Sequence, residues 1–245
     1  MRFSFNSVII ILLIITYYSI FNTPAFSQNY RLPPNLPDYD SKPYHFGFTL
    51  GVNSMNFVIK YVDDFRQYDS LCIIESKPQE GFTIGIVSNL RLGWDYADLR
   101  FIPTLSFGDR QLHYTIINKG KTKSLQIKKI ESTFLEFPFS LRVKSMRFNN
   151  NALVYIMGGV KYSIDMASQA KQKEEDGEVV IKLKRNDYAY EVGVGMDFYL
   201  VYFKLGTELK MVYGLKDLLK RENNVYTDPI KKLNSKIFML SFTFE

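Results

Sequence analysis

Eight stretches of this chain alternate apolar and polar residues with a period of two, and the connections between them run long, short, long, short, long, short, long. A period of two sends successive side chains to opposite faces of a β-strand. The predicted strands are Tyr44–Ile59, Glu80–Leu92, Asp98 toward Ile116, Glu131–Val143, Ala152–Met166, Tyr188–Leu200, Phe203–Tyr213 and Lys236–Glu245. In the fourth, Leu135, Phe137, Phe139 and Leu141 share one face, while Glu136 and Arg142 lie on the other. A soluble sandwich gives no reason for strict alternation of connection length. A barrel that crosses a membrane does, because it gathers its short turns at one end and its long loops at the other, with an even number of strands. A soluble eight-stranded cup is the competing architecture, and periodicity alone does not say which face points inward.

The aromatic residues decide between the two. Trp94 and Tyr96 flank the first short turn, Phe148 sits in the second, Tyr199 and Tyr202 bracket the third, and Phe244 is one residue from the end. These six are expected to form a girdle at one interface of a bilayer. The first residues add export: Arg2, the apolar run Val8–Ile15, then Ala25 and Ser27 spaced as a cleavage site requires. The expected organisation is a signal peptide over 1–27, a Pro-rich N-terminal linker over 28–43 without a core of its own, and a β-barrel over 44–245. The fold class is all-β, an eight-stranded antiparallel transmembrane β-barrel, OmpA/OmpX-like, in the lipid of the bacterial cell outer membrane with both chain ends on the periplasmic side. Two irregularities are expected within it. The apolar set of the first strand changes near Ser54, which a bulge would produce. Pro138 has no N–H for a ladder and a closed barrel has no edge strand, so a missing hydrogen bond or a bulge is expected there.

The face opposite the apolar one carries Arg100, Glu136, Arg142, Lys161, Glu191, Lys204, Glu208 and Lys210. The interior of an eight-stranded barrel is just wide enough to be filled by side chains, and buried charges need partners. These eight are expected to plug the lumen as an ion-pair network, with a proton path or small-solute site as the alternative. No catalytic, cofactor-binding or metal-binding residue is expected, and no enzyme activity. His45 and His113 fall at opposite ends of such a barrel. Ser106 lies near His113 in sequence, but no motif supports a lipase-type trio. Gly193-x-Gly195 lies within a strand with no following helix, so it is no phosphate loop. Cys72 is the one cysteine, which excludes an intramolecular disulfide. The net charge of +6 is spread over loops among nearby acids, so no nucleic-acid partner is expected, nor a small-molecule substrate.

Tyr44-His45-Phe46-Gly47-Phe48-Thr49-Leu50-Gly51-Val52-Asn53 resembles the opening strand of the PorT/SprT family, and Thr133-Phe134-Leu135-Glu136-Phe137-Pro138 resembles its strand with a Leu-Glu-x-Pro pattern. Val194–Tyr199 and Glu208–Leu215 are similar to that family as well. The resemblance implies an outer-membrane component of the type IX secretion system, which serves protein export and, in some bacteria, gliding motility. Its partners would be other secretion-system proteins, reached through the loops and the Pro-rich N-terminal segment. The alternatives are a stand-alone structural or adhesion barrel whose loops bind host or matrix, and an outer-membrane lipase-type enzyme.

Overall fold

Period-two alternation becomes a closed wall only if each strand finds two neighbours in register. In the computed structural model, which describes residues 33–63, 71–93, 96–117, 123–167, 181–221 and 226–245, they do. The strands are β1 (Tyr44–Tyr61), β2 (Leu71–Lys77), β3 (Gln79–Arg91), β4 (Ala97–Phe101), β5 (Thr104–Ile117), β6 (Lys123–Lys144), β7 (Ala152–Asp165), β8 (Asn186–Tyr199), β9 (Lys204–Gly214) and β10 (Ile230–Phe244). Pro78 separates β2 from β3, and Ile102 and Pro103 separate β4 from β5, so the ten segments form eight staves. All pairings are antiparallel, and β1 pairs with both β3 and β10, which closes the ring. The described ends of the first short connection, 92–93 and 96, lie at one end together with the other two, 145–151 and 200–203, and the start of β1. Asn149 and Asn150 adopt left-handed φ of 49° and 61° in the second, a conformation that asparagine tolerates. The expected signal segment over 1–27 and Trp94 lie outside the described residues.

The apolar face points outward. Phe46 is 69% exposed and Ile86 65%, and similar residues line every stave. A continuous apolar band of this size belongs in lipid. Tyr96, Phe148 and Tyr202 are exposed at the short-turn end, and Phe244 stacks on Phe48 at 4.8 Å on the outer surface. Tyr199 does not join them. Even-numbered residues of β8 face outward, so Tyr199 points into the mouth and is buried, although it sits beside the same turn. A second belt, not anticipated from the turns, lies at the long-loop end: Tyr162 and Tyr188 are 5.1 Å apart, and Tyr190 and Tyr213 5.6 Å. From Tyr188 to Phe198 the chain runs roughly 34 Å, or about 26 Å of height at a tilt of ~40°, which matches an outer-membrane apolar band.

Three departures from the sequence reading share one cause, the long-loop end. β1 has no bulge at Ser54; its register with β10 runs unshifted from Phe48 to Lys60. His45, Thr49, Asn53, Met55 and Phe57 all face inward, so the apparent phase change is a change in what fills the interior. β2 occupies part of a stretch that reads as polar loop, and β6 begins at Lys123 rather than Glu131. Together β2, β5 and the first half of β6 rise beyond the barrel wall as a three-stranded sheet. Beneath it Phe57, Ile74, Leu112, Tyr114, Ile130, Ile181, Leu183, Leu218, Leu219, Ile230 and Leu233 form an apolar core that caps the lumen.

At Pro138 the register of β6 against β7 is unbroken. On its other side, Phe101 opposite Phe139 and Thr104 opposite Glu136 keep one register across Ile102 and Pro103, so there is no bulge. The Ile102 amide donates to the Pro138 carbonyl at 3.4 Å, and Pro138 has no N–H to return.

An arginine at the middle of the lipid band tests the outward assignment. Ile86→Arg is expected to destabilise the barrel by about 2–4 kcal/mol, and Glu80→Arg, beyond the band, by roughly 0–1 kcal/mol. Equilibrium urea unfolding in phospholipid vesicles checks the difference.

Candidate functional site

Among the described residues, the lumen is where buried ionisable groups concentrate. Because inward positions recur every second residue, each stave contributes a column of them. Arg142 of β6 meets its cross-strand neighbour Asp98 of β4 at 2.8 Å and reaches past β7 to Asp197 of β8 at 3.0 Å. Arg100 of β4 is paired with Glu208 of β9 and with Glu245. Lys204 lies 2.8 Å from Glu245 and 3.5 Å from Asp197, and Lys210 lies 3.0 Å from Glu208. The Tyr155 hydroxyl donates to Glu208 at 2.8 Å, with the Arg142 guanidinium over its ring. A Cβ at Gly195 would stand 2.5 Å from that hydroxyl, so the glycine leaves the room Tyr155 fills. Higher in the barrel, Lys161 meets Glu136 at 2.6 Å, and Glu136 accepts from Ser106 and Thr104. Above these, Arg110 donates to Ser132 at 2.7 Å and approaches Asp165 at 3.4 Å, while Phe57 and Phe134 hold its guanidinium between their rings.

Of the eight lumen residues singled out from sequence, Arg100, Glu136, Arg142, Lys161, Glu191, Lys204, Glu208 and Lys210, all are buried. Seven take part in the ion pairs just given; Glu191 sits on the same inner face of β8. The sequence reading missed Asp98, Asp197 and Glu245, which complete the lower pairs, and Arg110, which joins the polar column to the apolar cap. Phase would have found them. Asp98 is two residues from Arg100, Asp197 is six from Glu191, and Glu245 continues the inward series Ser241 and Thr243. Ser106 and His113 do not meet. Ser106 faces inward on β5, bonded to Thr83 and Glu136, and His113 faces outward. Among the described residues, no group of three or more His, Cys, Asp and Glu side chains is placed to hold a metal ion.

The described part of the expected linker, 33–43, is not extended free chain. It lies across the short-turn mouth, with a 3₁₀ turn at Tyr39–Ser41. Leu36 and Tyr39 pack on Leu153, Tyr155, Met157 and Tyr199. Tyr39 donates to Glu245 at 2.6 Å and stacks on His45 at 3.8 Å. Asp40 lies 2.7 Å from Arg147, whose guanidinium covers the Tyr199 ring. Burial first, then the charge of Glu245, pushes the Tyr39 hydroxyl well above the ordinary tyrosine range, although Arg100 and Arg142 oppose the shift.

A family model described as "Outer membrane protein beta-barrel domain" matches residues 26–220. No curated protein sequence matches the chain. Among solved structures, it is similar to the attachment invasion locus protein Ail of Yersinia pestis, solved with the heparin analogue sucrose octasulfate, at 11% identity and a TM-score of 0.36 over 83% of this chain and 98% of that one. It is similar to OprG of Pseudomonas aeruginosa at 12% identity and a TM-score of 0.37, over 81% and 94%. The N-terminal β-barrel domain of Pseudomonas aeruginosa OprF gives 11% identity and 0.31, over 80% and 96%.

Two outcomes test the lumen and its mouth. Arg142→Ala leaves Asp98 and Asp197 without their shared guanidinium and is expected to cost about 3–5 kcal/mol in urea unfolding. For Tyr39, a hydroxyl whose folded-state value lies above the ~10 of a free tyrosine supports docking fully below that pH and loses the contribution as pH rises past it. Amide hydrogen exchange over 33–43 is therefore expected to accelerate above about pH 10, and Tyr39→Phe to lack that hydroxyl-linked component.

Proposed function

The chain belongs to the outer membrane protein β-barrel domain family and sits in the bacterial outer membrane, and on that footing we propose that it is an accessory component of a protein-secretion machine of the type IX kind, acting through its surfaces and not as a conduit. The observation that carries the second half of this reading is the filled interior. Strap, ion pairs and apolar cap occupy successive levels of the lumen. A barrel packed in this way offers partners its outer end and its periplasmic rim. The first half rests on the resemblance of Tyr44–Asn53 and Thr133–Pro138 to the PorT/SprT family.

A stand-alone adhesion barrel is the second reading. It is favoured by the sheet of β2, β5 and β6, which stands beyond the lipid band and exposes Ile73, Leu125 and Ile127 on its outward face. Gene deletion separates the two. For the secretion component, exported proteins disappear from the medium and accumulate in the periplasm. An unchanged secretome with reduced surface attachment overturns it in favour of adhesion.

A further inference from the structure

The strap over 33–43 is gripped in a way that differs from every other segment of the wall. It adds no strand to the ring; the pairing of β1 with β3 begins at Tyr44. Its one backbone bond to a strand is at the junction, where the Arg91 amide donates to the Pro43 carbonyl at 2.9 Å. The remaining grip comes from side chains: those of the barrel fall mostly on the strap's main chain, and the Asn35 side-chain amide of the strap donates to the Tyr199 carbonyl at 2.9 Å. Arg147 donates to the Asn35 carbonyl at 2.9 Å and to that of Leu36 at 3.5 Å. Asn151 accepts from the Asn35 amide at 2.7 Å and donates to the Pro33 carbonyl at 3.2 Å. His45 Nε2 lies 2.8 Å from the Tyr39 carbonyl.

Besides Asn35, two strap side chains, Tyr39 and Asp40, are read closely as side chains of a particular type. Tyr39 enters a cage whose walls are the His45 ring, the edge of Tyr199 at 5.6 Å and the Lys204 ammonium at 4.7 Å, and whose floor is the Glu245 carboxylate. Asp40 meets Arg147 at 2.7 Å and Arg91 at 3.9 Å. Hydrogen bonds to main-chain groups that any sequence offers, joined to a pocket for one anchor and a cation for its neighbour, are a means by which proteins bind peptides. Since the ring closes without the strap, its removal leaves the ladder intact.

We propose that the short-turn mouth is a peptide-binding site for a segment that turns as 33–41 does and carries a tyrosine followed by an acidic residue, and that this chain's own 33–41 is its resident, exchangeable occupant. The inference stands on the geometry of the mouth and is independent of the secretion reading, since its readout is binding by the purified protein. Tethered next to its site, the resident segment works at an effective concentration of the order of millimolar, so a free peptide competes poorly until the resident is weakened.

The test uses the full-length protein folded in detergent micelles and a fluorescein-labelled synthetic peptide of residues 33–43, followed by anisotropy. The wild type is expected to bind it weakly. The double substitution Tyr39→Ala, Asp40→Ala in the protein is expected to bind the wild-type peptide at least about tenfold more tightly. A peptide carrying those same two alanines should show no such gain, and adding Arg147→Ala to the protein should remove it. A folded double variant that binds no better than wild type overturns the proposal, as does binding indifferent to Arg147. Should the double variant fail to fold, the wild type decides: excess unlabelled peptide, but not a scrambled one, is expected to accelerate amide exchange over 33–43, and unchanged exchange overturns it.

Discussion

Burying a charge costs several kcal/mol unless a partner and hydrogen bonds replace its water, and an eight-stranded barrel has too narrow an interior to keep water around every ion. In this protein the partners are supplied both by neighbouring staves and from across the lumen. Arg142 joins β6 to β4 and β8, and Arg100 joins β4 to β9 and to Glu245 after β10. Each pair exists only if the staves are in the observed register. A slip of one residue turns the whole inner column toward lipid and brings the lipid face inward. The ion pairs therefore select a register more than they add stability, since a well-packed apolar interior would hold the ring about as well.

The same packing shapes what the protein can do. Ascending the lumen from the mouth, the occupants change from strap to ion pairs to apolar core. Arg110, between Phe57 and Phe134, marks the last transition: its charge faces Ser132 and Asp165, and its plane is covered by rings. The two closures differ in kind. Most of the cap residues, among them Phe57, Ile74, Leu112, Tyr114 and Ile130, lie on strands, while Ile181, Leu183, Leu218 and Leu219 come from the connections beyond β7 and β9, so parting the cap from the ring means pulling apart β2, β5 and β6. The strap lies outside the sheet and is held by side chains, so it is the closure that can exchange without disturbing the ring.

The wall was legible in the sequence because lipid imposes one requirement on every stave: an apolar residue at each outward position. What fills the inside answers to no single rule, and there the reading failed in specific ways. Met55 and Phe57 imitate a change of phase because the interior turns apolar at their height. Leu218, Leu219 and Leu233 lie among lysines and asparagines in a stretch that reads as polar loop, and their burial depends on Ile74, Leu112 and Ile130, distant in sequence. Glu245 follows the outward aromatic Phe244, and strand phase carries it inward to Arg100 and Lys204. Nearness to a turn suggests a girdle position for Tyr199, but its odd number on β8 points it into the mouth.

The prolines show how a closed ring absorbs residues that an open sheet would move to an edge. Pro103 and Pro138 lie on adjacent staves at nearly the same height, and neither shifts the register. Each acts only as an acceptor: the Ile86 amide donates to the Pro103 carbonyl at 3.1 Å, and the Ile102 amide to that of Pro138. The absent donor in each pair would have served the carbonyls of Ile86 and Ile102. Leaving a carbonyl short of a donor is easier to accommodate than orphaning an N–H, so the arrangement places the deficit on the cheaper group. The two deficits fall in neighbouring ladders, β3 with the β4–β5 stave and that stave with β6. That concentrates the loss of ladder bonds on one stave, between β4, whose Asp98 and Arg100 hold the lower ion pairs, and β5, which rises into the cap. The break in that stave coincides with the level at which the lower ion pairs give way to the upper polar groups.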